Sequence, residues 1–308
     1  MSGRVVTLGE TMALLRTREI GTLQHLPDVA VGIGGAESNV AIGLRRLGVD
    51  ASWAGVVGDD MLGRRILREL RGEGLDVRAR TADASTGLMI KERPTASSTA
   101  VTYYRAGSAG STLAPGDVPA GWVEEADLVH VTGVTALVSA SALASVDTVC
   151  ARARAAGTVI SFDINYRSAL APADVARPVL RRLADGADIV FGGEDEFALI
   201  APGEAAEAAL AGREVVVKRG EAGAYAVVSG VRTDAPGFSV HTVDTVGAGD
   251  AFVAGYLAAR LAGADVSARL AQANACGALL CMSPGDWEGA PTARELAAFL
   301  SPGDPVSR

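Results

Sequence analysis

The chain has almost no lysine. Only Lys91 and Lys218 occur among its 28 lysine and arginine residues, which reads as a compositional bias. Cysteine is scarce too, and Cys150, Cys276 and Cys281 form an odd set without paired spacing. That excludes a disulfide framework and suggests buried thiols in a reducing, cytoplasmic compartment. His25, His130 and His241 stand far apart, which argues against a histidine metal site. No apolar run reaches the roughly 18 residues a membrane helix needs. The start of the chain lacks a signal-peptide pattern, because the apolar run at 5–8 is too short. Net charge is −8 with no basic cluster, which argues against a nucleic-acid partner. There is no Gly-x4-Gly-Lys-Ser/Thr phosphate loop and no His-Arg-Asp of protein kinases. The serine-hydrolase elbow fails at Ala106.

What the chain does have is glycine placed ahead of helices. Asp244-Thr245-Val246-Gly247-Ala248-Gly249-Asp250 follows an alternating run at 238–243 that reads as a strand. It precedes an apolar run of helical period at 251–261. Glycines let backbone N–H groups approach a ligand closely, and a helix start offers unpaired donors with partial positive charge. That combination suits a phosphate. A carboxylate in the same turn, Asp250, would repel phosphate unless it takes a proton from an attacking hydroxyl. The plainer alternative is an N-cap. A second turn of this kind, Gly34-Gly35-Ala36-Glu37-Ser38-Asn39, opens a helical pattern at 40–47, with Ser38 as candidate cap. There Gly34 and Gly35 clear space, and Asn39 offers both donors and acceptors to sugar hydroxyls.

The chain is long enough, and with 49% hydrophobic residues apolar enough, to bury one large core. We expect a single domain over 1–308. Short strands are expected at 4–8 and within 11–33, then a strand at 51–57 and a helix at 61–71. Residues 75–105 read as β structure at 77–81, 87–91 and 99–105. From 126 onward strands and helices alternate, with strands at 128–132, 158–163, 189–191, 215–218 and 224–228. Helices are expected at 139–156, 173–184, 194–200, 251–262, 266–280 and 293–300. Such alternation predicts a mostly parallel sheet covered on both faces, with ligands at the carboxyl ends of its strands.

Six ordered positions over 244–250 (Asp, Thr, Gly, Ala, Gly, Asp) resemble the second signature of the ribokinase-like, or phosphofructokinase-B, sugar kinases. Gly34-Gly35-Ala36, Asn39, Leu47-Gly48 and Gly58-Asp59-Asp60 resemble the first. The resemblance spans nearly the whole chain. It implies an α/β three-layer sandwich with a mostly parallel central sheet and a small β lid, in which the strands of 75–105 join those of 11–33, the lid strands lying within about 11–33 and 84–106. It implies a kinase using ATP and Mg2+, with Gly247, Ala248 and Gly249 as an anion hole and Asp250 as catalytic base. Lys218-Arg219-Gly220-Glu221-Ala222-Gly223 resembles the stretch lining the nucleotide, so Lys218, Gly220 and Gly223 are assigned there; without the other motifs it would read as a charged hairpin. Asn165 and Asn274 are assigned to the nucleotide as well. Glu196 matches the family's magnesium-shell acid, although Gly193 stands where Asn is usual. A monovalent cation such as K+ near the anion hole is left open. Pairing of copies through the lid sheet is expected.

Tyr103-Tyr104-Arg105-Ala106-Gly107-Ser108-Ala109 resembles the family's 2-keto-3-deoxygluconate kinases. The alternative is an aromatic pair beside a surface arginine. With Tyr103, Arg105 and Arg167 are expected to form a two-arginine clamp for a sugar-acid carboxylate, since guanidinium grips carboxylate bidentately. Met89 departs from the aromatic expected in those kinases. A neutral-sugar kinase, or a sugar-binding protein without catalysis, remains the alternative.

Overall fold

The computed structural model describes residues 3–96 and 98–301. Met1, Ser2, Ser97 and 302–308, including both ends of the expected domain, lie outside the described residues. The strands are β1 (Arg4–Leu8), β2 (Met12–Thr17), β3 (Val29–Gly34), β4 (Asp50–Gly58), β5 (Asp76–Ala82), β6 (Leu88–Thr95), β7 (Ser98–Tyr104), β8 (Leu128–Thr132), β9 (Val159–Asp163), β10 (Ile189–Gly193), β11 (Glu214–Lys218), β12 (Ala224–Val228) and β13 (Val231–Ala235). The helices are α1 (Ala36–Arg46), α2 (Met61–Gly72), α3 (Gly133–Val138), α4 (Ala140–Ala156), α5 (Ala173–Gly186), α6 (Glu194–Ile200), α7 (Ala206–Ala209), α8 (Ala248–Leu261), α9 (Val266–Cys281) and α10 (Ala293–Leu300).

Nine strands form one sheet in the order β13-β12-β11-β10-β9-β8-β1-β4-β5. Every neighbouring pair from β11 to β5 is parallel, and β12 and β13 add an antiparallel edge. Successive apolar residues of one strand enter opposite layers. Ile189 and Phe191 belong to the layer that holds α1, α8 and α9, with Phe191 edge-on to Tyr256 of α8, while Val190 belongs to the opposite layer with Val146 of α4 and Leu180 of α5. Burial on both faces is why these strands read as continuous apolar runs. The expected three-layer ribokinase-like sandwich is what the chain adopts.

The chain starts in the middle of the sheet at β1 and then runs outward in both directions. The order therefore reverses between β1 and β8, where parallel sheets collect ligands. Above those carboxyl ends lies a four-stranded sheet, β3-β2-β6-β7, with Met12, Leu14 and Met89 as its small core.

Four expectations need correction. The strand at 77–81 pairs with β4 at the edge of the main sheet rather than joining the lid. Residues 238–243 form no strand: among the described residues none pairs with them in a sheet, and Val243 and Asp244 instead direct their N–H groups to the Cys281 carbonyl of α9, at 2.7 and 3.2 Å. The edge strand β13 was not expected, although Ser229 and Gly230, with φ of 52° and 78°, make the primed turn a tight hairpin requires. Finally, α1 begins at Ala36 with Gly35 as N-cap, and Ser38 is inside the helix, its hydroxyl donating to the Gly35 carbonyl at 3.0 Å.

Candidate active site

Two cavities meet at the start of α8. The first, of about 770 Å³, is lined by Gly35, Asn39, Met89, Tyr103, Arg105, Asn165, Arg167, Gly247 and Asp250. The second, of about 710 Å³, is lined by Lys218, Gly220, Gly223, Gly249 and Asn274. The Gly247–Asp250 turn is the partition between them. A donor on one side and an acceptor on the other would face each other across it.

Gly247 caps α8 with φ of +83°, in the left-handed region that glycine tolerates. A Cβ there would lie 1.8 Å from the Asp286 carbonyl oxygen, so the position admits only glycine. The Ala248 N–H is turned back to the Thr245 carbonyl at 3.2 Å. The amides of Gly247, Gly249 and Asp250 have no partner among the described residues. Ala248 therefore shapes the turn, and its amide is not one of the open donors expected of it.

Asp250 is buried. Asn39 Nδ2 donates to its Oδ2 at 2.8 Å, and Asn165 Nδ2 approaches Oδ1 at 3.4 Å. Two neutral amides orient the carboxylate without neutralising it. Burial pushes its pKa up to about 7; Asn39, Arg167 and Lys218 oppose the rise and Asp163 adds to it. A carboxylate with that pKa is suited to general-base work near neutrality. Asn39 thus holds the Asp250 carboxylate, with its own Oδ1 toward the Gly35 N–H at 3.4 Å. Asn165, assigned from sequence to the nucleotide, stands instead on the wall of the first cavity. It is one of two non-glycine residues with positive φ among the described residues, at 37°, a strained backbone of the kind found at functional sites. Gly34 lies behind the wall, and a Cβ there would meet Asp286 and Met89.

The two arginines differ. Arg105 is held by Glu10, with Nε at 2.9 Å and Nη2 at 2.6 Å from Glu10 Oε2. Glu10 is buried and also accepts from Ser108, at 2.5 Å. Of the two arginines expected in the clamp, both line the first cavity, and Arg105 is already paired there with Glu10. Arg167 is exposed on the cavity wall and makes no ion pair with a described residue. Tyr103 is half-exposed on β7 and pairs across the lid with Met89.

On the other side, Lys218 Nζ lies 2.8 Å from both oxygens of Asp163. It also lies beside Gly249, where a Cβ would be 3.6 Å away. Both lysines of the chain thus stand next to the turn, Lys218 partly buried and Lys91 fully so. Glu196 accepts from the Tyr166 N–H at 2.7 Å and the Gly193 N–H at 2.8 Å. Burial raises its pKa, Asp163 adding to the rise and Lys218 opposing it. Asn274 Nδ2 donates to the carbonyls of Ala235 and Pro236, at 3.3 and 3.0 Å, and so fixes the wall of the second cavity. Gly220 and Gly223 have φ of 57° and 91°. A Cβ on Gly223 would lie 2.2 Å from the Ala235 carbonyl oxygen.

Sequence reasoning gave no role to Lys91, Asp286 or Glu10, nor to Asp244, although Asp244 opens the motif. One signal was available. In a chain that otherwise uses arginine for its basic side chains, the two lysines mark places that take a compact charge.

The family model for pfkB family carbohydrate kinases matches residues 2–293. The chain is 39% identical to the 2-dehydro-3-deoxygluconokinase of Bacillus subtilis (strain 168), over 96% of this chain and 95% of that protein. It is 35% identical to the 2-dehydro-3-deoxygalactonokinase of Haloferax volcanii, over 93% of each chain. A solved E. coli structure in complex with ATP and Mg2+ superimposes with a TM-score of 0.88 at 28% identity, covering 97% of this chain and 99% of that one. The chain belongs to the pfkB family of carbohydrate kinases.

Proposed function

We propose that this kinase transfers the γ-phosphoryl group of ATP to the terminal (6) hydroxyl of a 2-keto-3-deoxy sugar acid, with 2-keto-3-deoxygluconate as the acceptor best supported. The observation that carries this reading is Arg167, an arginine without an ion-pair partner among the described residues, on the wall of the cavity that holds Asp250. A carboxylate would give it the bidentate partner it lacks, which a neutral sugar does not. The relatives named for 2-dehydro-3-deoxy sugar acids support the same class.

In this reading Asn39 and Asn165 aim the Asp250 carboxylate at the acceptor hydroxyl, and Asp250 takes its proton as the oxygen attacks phosphorus. The Gly247, Gly249 and Asp250 amides and the Lys218 ammonium face charge building on the transferring phosphoryl group. ATP lies in the second cavity along Gly220, Gly223 and the wall fixed by Asn274. Asp163 and Glu196 share one lysine, so a divalent cation would balance their excess negative charge. No group of three or more His, Cys, Asp or Glu suited to a metal occurs among the described residues. Magnesium carried mainly by phosphates and water, with one or two carboxylates nearby, fits that donor set. Glu196 already accepts a backbone amide on each oxygen, so its place is in the water shell. When bound, magnesium supplies charge neutralisation at the phosphates.

The lid's edge strand exposes Tyr103 and Tyr104, and pairing of two lids is the assembly we propose; sedimentation at micromolar concentration tests it. The acceptor reading is tested with the Arg167→Gln variant. Its KM should rise for the keto-deoxy acid and stay unchanged for fructose. Equal effects on both acceptors would remove Arg167 from carboxylate recognition.

A further inference from the structure

Lys91 is buried, at 3% exposure, although it belongs to the lid strand β6. Its Nζ lies 2.8 Å from Asp244 Oδ2, 2.7 Å from Asp286 Oδ1 and 2.9 Å from the Gly285 carbonyl. Three oxygens, two of them on carboxylates, surround one compact positive charge. A compact ammonium can meet all three oxygens at once, whereas a planar guanidinium presents its donors in a fixed fork.

The cage is part of the catalytic turn. Asp244 is the first residue of the glycine-rich motif, and its Oδ1 accepts the Val246 N–H at 3.1 Å. Its Oδ2 also accepts the Gly285 N–H at 3.3 Å. Asp286 lines the first cavity, and its carbonyl closes against Gly247. Without a cation, Asp244 and Asp286 would set two uncompensated carboxylates behind the amides that must receive a phosphoryl anion. They would also repel each other and open the contact that fixes Gly247.

We propose that the Lys91 ammonium is the resident monovalent cation of the catalytic turn, a positioning group delivered by the lid, so that phosphoryl transfer needs no added K+. The inference rests on the kinase chemistry of the family and not on the identity of the sugar.

The test compares cations. Wild-type enzyme is assayed on whichever acceptor it phosphorylates, with K+, NH4+ or tetramethylammonium as the sole monovalent cation, and kcat should be the same in all three. Lys91→Met keeps the stem and deletes the charge; its kcat should fall about 100-fold, the loss typical of a catalytic group displaced by about 1 Å, with little change in KM. Lys91→Ala removes the stem as well. It should fall equally, but recover roughly tenfold or more in NH4+, K+ or methylammonium, which fit the vacated cage, and not in tetramethylammonium, which does not. Thermal melts of both variants report folding. A wild type that depends on K+ overturns the proposal. So does Lys91→Met with normal kcat, or a folded Lys91→Ala that no small cation restores. If Lys91→Ala fails to fold, the wild-type series and Lys91→Met decide. Any of these results leaves the acceptor assignment standing, because the assay uses the acceptor already found.

Discussion

Replacing Gly247 with alanine should disable the enzyme in a way that ordinary backbone strain does not. Alanine at φ of +83° costs about 1–2 kcal/mol through the left-handed conformation alone. The larger effect is steric. The new Cβ would sit 1.8 Å from the Asp286 carbonyl oxygen, and side-chain carbons essentially never come within 3.0 Å of such an atom. Either the turn or the 285–288 loop must move by more than 1 Å. A displacement of that size at positioned groups lowers turnover by about 100-fold, or about 2.7 kcal/mol of barrier. Gly230→Ala is the control. It shares a left-handed φ, +78°, but nothing lies within 4 Å of its added Cβ. A coupled ADP-release assay and a thermal melt on both variants separate strain from clash. Gly230→Ala should lose about 2–4 °C per kcal/mol in Tm and keep its kcat. Gly247→Ala should melt lower still and lose about 100-fold in kcat. A Gly247→Ala enzyme with wild-type kcat would refute the role given to the Gly247–Asp286 contact.

Other outcomes follow from the same geometry. Asp250→Asn should lower kcat by about 10²–10⁴-fold, the range of general-base catalysis, with ligand affinity measured by calorimetry retained. Asp250 must be ionised to act and its pKa is about 7, so kcat/KM should fall tenfold per unit as pH drops below that value, in a pH–rate profile. The same raised pKa means the Asp250 contribution to stability is lost as pH rises from the ordinary carboxyl range through about 7. Asp250→Asn should therefore gain in Tm over wild type between pH 5 and pH 8. Arg167→Gln should raise KM for the keto-deoxy acid by about 10–100-fold, the value of a charge-assisted hydrogen bond. It should also raise the pH–rate midpoint, because Arg167 holds the Asp250 pKa down.

Local pattern carried most of the fold. The strand at 128–132, the helix at 194–200 and the strand at 224–228 match the structure residue for residue, since apolar runs and turn residues bound them on both sides. What escaped was long-range pairing. An alternating run at 238–243 looks like a strand, but a strand needs a neighbour, and β13 had already closed the edge of the sheet. Residues 77–81 carry nothing in their own sequence to say whether they join the lid or the main sheet; the β4 register decides. The motifs placed Asp250, Gly247 and Lys218 next to the two cavities, because a glycine turn at a helix start is a local feature. They could not show that Arg105 is neutralised by Glu10, ninety-five residues away. Lys91 and Asp244 are separated by about half of the chain, and only folding makes them partners.

The most direct test of the whole account is ATP-dependent phosphorylation across 2-keto-3-deoxygluconate, 2-keto-3-deoxygalactonate, gluconate, fructose, ribose and adenosine. With Arg167 reading a carboxylate, kcat/KM for a keto-deoxy acid should exceed that for fructose or ribose by at least about tenfold. Fructose turned over as well as the acids would leave the fold and Asp250 in place and contradict the acceptor assignment.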